Sequence, residues 1–128
     1  MKKYWKVVRN VGGKRYSCIV VAINKKTVHC REYPTGFFTQ PAPSAAKRGY
    51  LLTCFNKKAA ALDFVKDLRG WCRDPGKQLE VWEADAIGVS KKLPRFADLN
   101  RNIFVEAGWG WPDHTVMAEK IKLVRRVK

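Results

Sequence analysis

Residues 55–86 read FNKKAAALDFVKDLRGWCRDPGKQLEVWEADA, and the arrangement of the rest of the chain follows from them. Ala61, Phe64, Val65, Leu68 and Cys72 recur at helical spacing with Trp71 beside them, while Asp63, Lys66, Asp67 and Arg69 fall mostly on the other side. Asn56 stands where an N-cap is wanted, because its side-chain oxygen accepts from the free amides of a first turn. Gly70 allows a left-handed C-terminal residue, and Asp74-Pro75-Gly76 is turn chemistry. Leu79 to Ala86 then reads as extended. A helix with one apolar stripe must bury it, and the rest of the chain offers only strands. The expected fold is α+β: a strongly twisted antiparallel sheet of five or six strands packed on, and curled around, one principal helix. Ala61, Phe64, Val65 and Leu68 would face Val20, Ile23, Leu52, Val81 and Trp82.

The flanks supply the strands. Tyr4–Arg9 is aromatic and β-branched, Gly12-Gly13 is hairpin chemistry, and Arg15–Ile23 is the most apolar run. Thr27–Tyr33 alternates, so the first third reads as an antiparallel meander. Pro34–Gly49 carries three prolines and two glycines, which forbid regular structure over most of it, and a connection that long in one domain is usually functional or mobile. Tyr50–Phe55 is a fourth strand leading into the helix. Gly88–His114 is again irregular, and Thr115–Val127 closes the chain as a strand.

The 128 residues make one domain, 1–128, able to bury roughly two-thirds of its unfolded surface. No apolar run approaches the ~20 residues of a membrane span. Lys6 and Arg9 interrupt what would be a signal-peptide core, so the cytoplasm is the expected compartment and no membrane is expected as partner. Cys18, Cys30, Cys54 and Cys72 form no C-x-x-C pair and read as reduced, buried small hydrophobes. His29 and Cys30 are strand neighbours pointing to opposite faces, which argues against a metal site.

Net charge is +15, unevenly spread. Residues 1–58 hold thirteen Lys and Arg against Glu32 alone. Residues 59–113 hold eight against nine acids, and residues 114–128 hold five against Glu119, so the local balances are +12, −1 and +4. A one-sided field of this kind attracts polyanions; its ordinary alternative is a surface that keeps the protein in solution.

The stretches beginning YWKVV, ending in the helix plus EVWEADA, and closing with WPDHTVMAEKIKLVRRV resemble small uncharacterised proteins of phages and mobile gene cassettes. The resemblance covers most of the chain. It implies a mobile-element setting and lends no activity or cofactor.

Three functional classes stay open. The leading expectation is non-catalytic binding of an anionic macromolecule, nucleic acid or another polyanion, through Lys3, Lys6, Arg9, Lys122, Arg125 and Arg126, with Lys57 and Lys58 at the helix entrance as an anion seat. Tyr4, Trp5, Tyr16 and Tyr33 would be stacking rings on that sheet, although strands use aromatics for packing anyway. The alternative is a protein-interaction module using the 34–49 loop with Phe37 and Phe38, together with Trp109 and Trp111, since Trp is enriched among hot spots. The third is an enzyme using Glu83 and Asp85, which share one strand face ~7 Å apart, although ion pairing with a basic sheet explains them as well. No P-loop, Rossmann fingerprint or nucleophile elbow is present, so no cofactor is expected.

Overall fold

The chain begins with a hairpin, β1 (Tyr4–Val11) and β2 (Lys14–Ser17). Gly12 and Gly13 join them with φ of 60° and 87°, the double positive φ that a two-residue turn between right-twisted strands requires. Asn10 Oδ1 accepts from the Gly13 amide at 3.0 Å. The computed structural model describes residues 2–17, 31–41, 43–46, 51–69, 78–93 and 114–128. The stretch 18–30, Trp71, Cys72, Trp109 and Trp111 lie outside the described residues, as do Val20 and Ile23 of the expected core.

The remaining elements are β3 (Phe38–Thr39), a single turn α1 (Pro43–Ala46), β4 (Leu52–Phe55), α2 (Lys58–Arg69), β5 (Gln78–Ile87), β6 (Thr115–Ala118) and β7 (Lys120–Arg126). Among the described residues of the 34–49 stretch, regular structure is confined to β3 and α1. The turn residues of the stretch bring β3 beside β7, and Pro43 takes the first helical position, where its missing N–H costs nothing. No described helix is long and apolar enough to cross a membrane.

All seven described strands belong to one antiparallel sheet in the order β3-β7-β5-β1-β4-β6, with β2 beside β1. The expected single strand Thr115–Val127 is two strands. Glu119 alone separates β6, which pairs with β4, from β7, which pairs with β5. With β1 pairing both β5 and, through Trp5↔Phe55, β4, the strands β1, β4, β6–β7 and β5 form a closed circuit. The break at Glu119 lets one stretch of chain leave β4 and continue along β5.

Closure produces two cores. Tyr4, Val8, Leu52, Cys54, Trp82, Ala84, Val116, Ala118, Ile121 and Leu123, drawn from every strand of the circuit, pack on one another together with Tyr33. On the other face Val7, Phe55, Leu79 and Val81 pack against Ala61, Phe64 and Val65 of α2, with Phe55 and Phe64 ring centroids 5.3 Å apart. The sheet therefore curls around its own side chains, and α2 covers the opposite face. Leu52 and Trp82, expected against the helix, belong to the inner core, because strand neighbours point to opposite sides and Trp82 cannot share a face with Val81.

The start of α2 also differs from expectation. The first helical hydrogen bond runs from the Ala61 amide to the Lys57 carbonyl at 3.3 Å, so Lys57 is the cap residue. Asn56 sits one position too early; its Oδ1 is buried without a partner, and its amide donates to the His114 carbonyl. His114 is exposed with φ of 65°, a turn residue at the entry to β6.

Candidate nucleic-acid interface

β5 runs between β1 and β7, so the basic first and last strands lie on either side of it. Its side chains alternate. Glu80, Trp82 and Ala84 point inward, while Glu83, Asp85 and Ile87 point outward beyond the area that α2 covers. Glu83 and Asp85 share one face as expected from their spacing.

Each glutamate of β5 holds two cations: Glu83 those of Lys3, just before β1, and Arg125 of β7, and Glu80 those of Arg15 on β2 and Arg126 on β7. Glu83 takes Lys3 Nζ at 3.3 Å and Arg125 Nη2 at 2.9 Å. The side chains of Lys3 and Arg125 are 64% and 73% exposed and that of Glu83 is 16% exposed, so the carboxylate is recessed and the cations stand above it. Glu80 repeats the arrangement on the inner side. It is fully buried, and its two oxygens receive Asn10 Nδ2, Arg15 Nε and Trp82 Nε1, each at 2.9 Å, with Arg126 Nη1 at 3.3 Å. The Arg15 guanidinium lies over the Trp82 ring, 4.7 Å from its centroid. At Asp85 the order is reversed: Lys122 Nζ approaches to 3.6 Å, but the carboxylate is the more exposed partner.

A β-bulge makes this division possible. The register passes from Glu83↔Arg125 to Ala84↔Leu123, leaving Val124 as the extra residue. Without it, Leu123 and Arg126 would lie on opposite faces. With it, both point inward and Arg125 points out to Glu83.

Burial opposes ionisation of Glu80, but hydrogen bonds from Asn10, Trp82 and Arg15 and the charge of Arg15 outweigh it, so its carboxyl lies below the usual range. Partial desolvation likewise works against Glu83, and Lys3 and Arg125 overcome it in the same direction. A carboxyl held low stays ionised, the opposite of what a general acid needs. Glu83 and Asp85 act as anchors for cations. A cleft of about 260 Å³ is lined by neither of them; Lys14, Arg15, Glu32 and Tyr33 contribute to it.

Two expectations are corrected here. Lys6 does not reach the surface. It shares the inward face with Tyr4 and Val8, is buried, and donates to the Thr53 carbonyl at 2.6 Å with Tyr33's ring 5.0 Å away. Its neighbour Cys54 is a buried free thiol pushed up to about 12 by desolvation, with the Lys6 charge acting the other way. Three of the four strand aromatics are not placed to stack: Tyr4 and Tyr33 are buried in the inner core and Trp5 packs on the α2 side, while Tyr16 is half-buried on β2.

Arg9 is half-buried on the face of Val7, opposite Leu79 and Tyr16. Lys57 and Lys58 are exposed at the start of α2, which has no acid in its first turn; among the described residues neither joins the β5–β7 ion pairs. Phe37 and Phe38 are 71% and 40% exposed, and the Lys122 ammonium is 4.9 Å from the Phe38 centroid.

The residue that sequence reasoning passed over is Glu80. The signal was present: Leu79-Glu80-Val81-Trp82 is an apolar strand run, and a carboxylate inside it must be buried with partners. Comparison of the chain with protein-family models, curated proteins and solved structures finds no match.

Proposed function

We propose that the protein is a small, basic, non-catalytic binding protein for an anionic macromolecule, and that this ligand is nucleic acid. The observation that supports the reading is the pairing around β5: Glu80 and Glu83 each hold two cations more exposed than themselves. The ion pairs fix the positions of Arg125 and Lys3 without cancelling their charge, and a guanidinium bound through one edge keeps further N–H donors for phosphate. Lys57, Lys58 and the net charge of +15 add attraction at a distance. The reading takes the compartment to be the cytoplasm, where Cys54 stays a thiol, and the setting to be a mobile element.

Titration with a mixed RNA and DNA pool at rising salt tests it. Log affinity should fall linearly with log salt, by ~0.7–0.9 per phosphate neutralised. Lys3→Gln with Arg125→Gln should weaken binding to every sequence about equally and flatten the slope, while Lys66→Gln on the exposed side of α2 should change little. Absence of binding at low salt would end this reading.

The exposure of Phe37 and Phe38 favours a second reading, a protein-interaction module built on the 34–49 loop. A protein partner seated on two rings would bind with little dependence on salt.

A further inference from the structure

We infer that Phe37 and Phe38, with Lys122 beside them, form a seat on which unpaired bases stack, so that the nucleic acid taken by this protein is single-stranded. The inference rests on the proposed function and names the form of its ligand.

Four large apolar side chains of the described residues stand exposed: Phe37, Phe38, Ile87 and Val124. Phe38 is on β3, Val124 on β7 and Ile87 on β5, three adjoining strands, and Phe37 precedes β3. Phe38 opposes Lys122, and Lys122 opposes Asp85 on the outer face that carries Glu83 and Ile87. The exposed apolar surface thus falls beside the cations Lys122 and Arg125. Charge complementarity favours an anionic ligand with flat apolar groups, which describes a strand of nucleic acid with its bases splayed.

The backbone that carries the rings is held in place. Pro34 to Phe37 make a tight turn closed by the Phe37 amide on the Pro34 carbonyl at 3.3 Å, with Gly36 at φ 84°, a conformation a side chain would strain. The Gly36 amide donates to the Leu123 carbonyl at 3.2 Å, which ties the turn to β7. On the other side Arg31 Nε donates to the Gln40 carbonyl and Thr39 Oγ1 to the Glu32 carbonyl, both at 3.0 Å. A backbone fixed in advance loses little freedom on binding.

A duplex gives the rings no free base to stack on. Its phosphates are as available to Arg125 and Lys3 as those of a single strand, but its base faces are already stacked on one another. A ring in this position gains from a base only when that base is free. Asp85, 3.6 Å from Lys122, repels phosphate at this end, so Lys122 supports the ring and the phosphate contacts fall to Arg125 and Lys3.

The test measures fluorescence anisotropy of a labelled mixed-sequence single strand, the same sequence as a duplex, and heparin, a polyanion without bases. Wild-type protein should bind the single strand more tightly than the duplex. Phe37→Ala/Phe38→Ala should weaken single-strand binding on the order of tenfold or more per ring, leave heparin binding unchanged, and keep the salt slope. Phe38→Tyr, which retains a ring, should restore its share. Equal binding of single strand and duplex, with both unaffected by loss of the rings, would overturn this inference and leave the polyanion reading standing. Failure of wild type to bind any of the three at low salt would remove both and give the ring pair to a protein partner.

Discussion

Glu80 is the residue on which the charge arrangement turns. Its oxygens accept three donors from β1, β2 and β5 and pair with Arg126 of β7, in a site closed to water. Removing the charge while keeping the shape, Glu80→Gln, leaves Arg15 and Arg126 without a counter-charge and gives Asn10 and Trp82 a poorer set of acceptors. Because both arginines reach solvent, the expected cost is roughly 1–3 kcal/mol in denaturant unfolding. The pH dependence follows from the direction of the shift. The folded carboxyl titrates below the unfolded one, so its stabilisation is fully present above the ordinary glutamate value of about 4.3 and is lost as pH falls through that value to the folded one. Wild type should therefore lose stability between about pH 5 and the lower folded value, and Glu80→Gln should lose less over that window. Equal slopes for the two proteins would mean that the hydrogen bonds to Glu80 do not favour its charged form. Glu83 is depressed in the same direction, but its partners are exposed, so salt should screen its contribution.

At the scale of elements, α2 shows what periodicity can and cannot say. The stripe of Ala61, Phe64 and Val65 is buried as its spacing demands, because a 3.6-residue repeat is a local property of the chain. Phe64→Ala should cost roughly 3–5 kcal/mol in chemical denaturation, since the ring fills the space beside Phe55. Of the five expected partners of that stripe, Val20 and Ile23 lie outside the described residues. Val81 faces the helix, but Trp82 and Leu52 do not, and the alternation of β5 already separates Val81 from Trp82. The cap was misread by one residue: the helix starts at Lys58 and leaves Lys57 in the cap position, where lysine has no oxygen to offer. Lys57→Ser should raise the midpoint of unfolding by an amount corresponding to ~0.5–2 kcal/mol. No gain would indicate that the first-turn amides already have other acceptors. The bulge at Val124 left no mark in the sequence, because nothing in KLVRR tells which residue will lack a partner across the sheet.

For the whole molecule, the charge map could be counted from the sequence but not placed. That Lys3 and Arg125 meet over one carboxylate depends on β5 lying between β1 and β7, a pairing between parts of the chain far apart in sequence. The same holds for the closed circuit. Its ladders join Tyr4 with Ala84, Leu52 with Ala118 and Ile87 with Lys120, and of these only the last spans a modest stretch of chain. The circuit has a consequence in time. Apart from the β1–β2 hairpin, each ladder requires a long loop to close before any hydrogen bond repays the lost entropy. The ring is complete only when β6 and β7, continuous through Glu119, find β4 and β5 together. Such a topology belongs with the slow folders, so refolding by stopped-flow dilution from denaturant should take ~milliseconds to seconds, and relaxation in microseconds would contradict the circuit. Until that last pairing forms, β4 and β5 each carry an open edge, and the interval before closure is when a concentrated solution of this chain is most prone to aggregate.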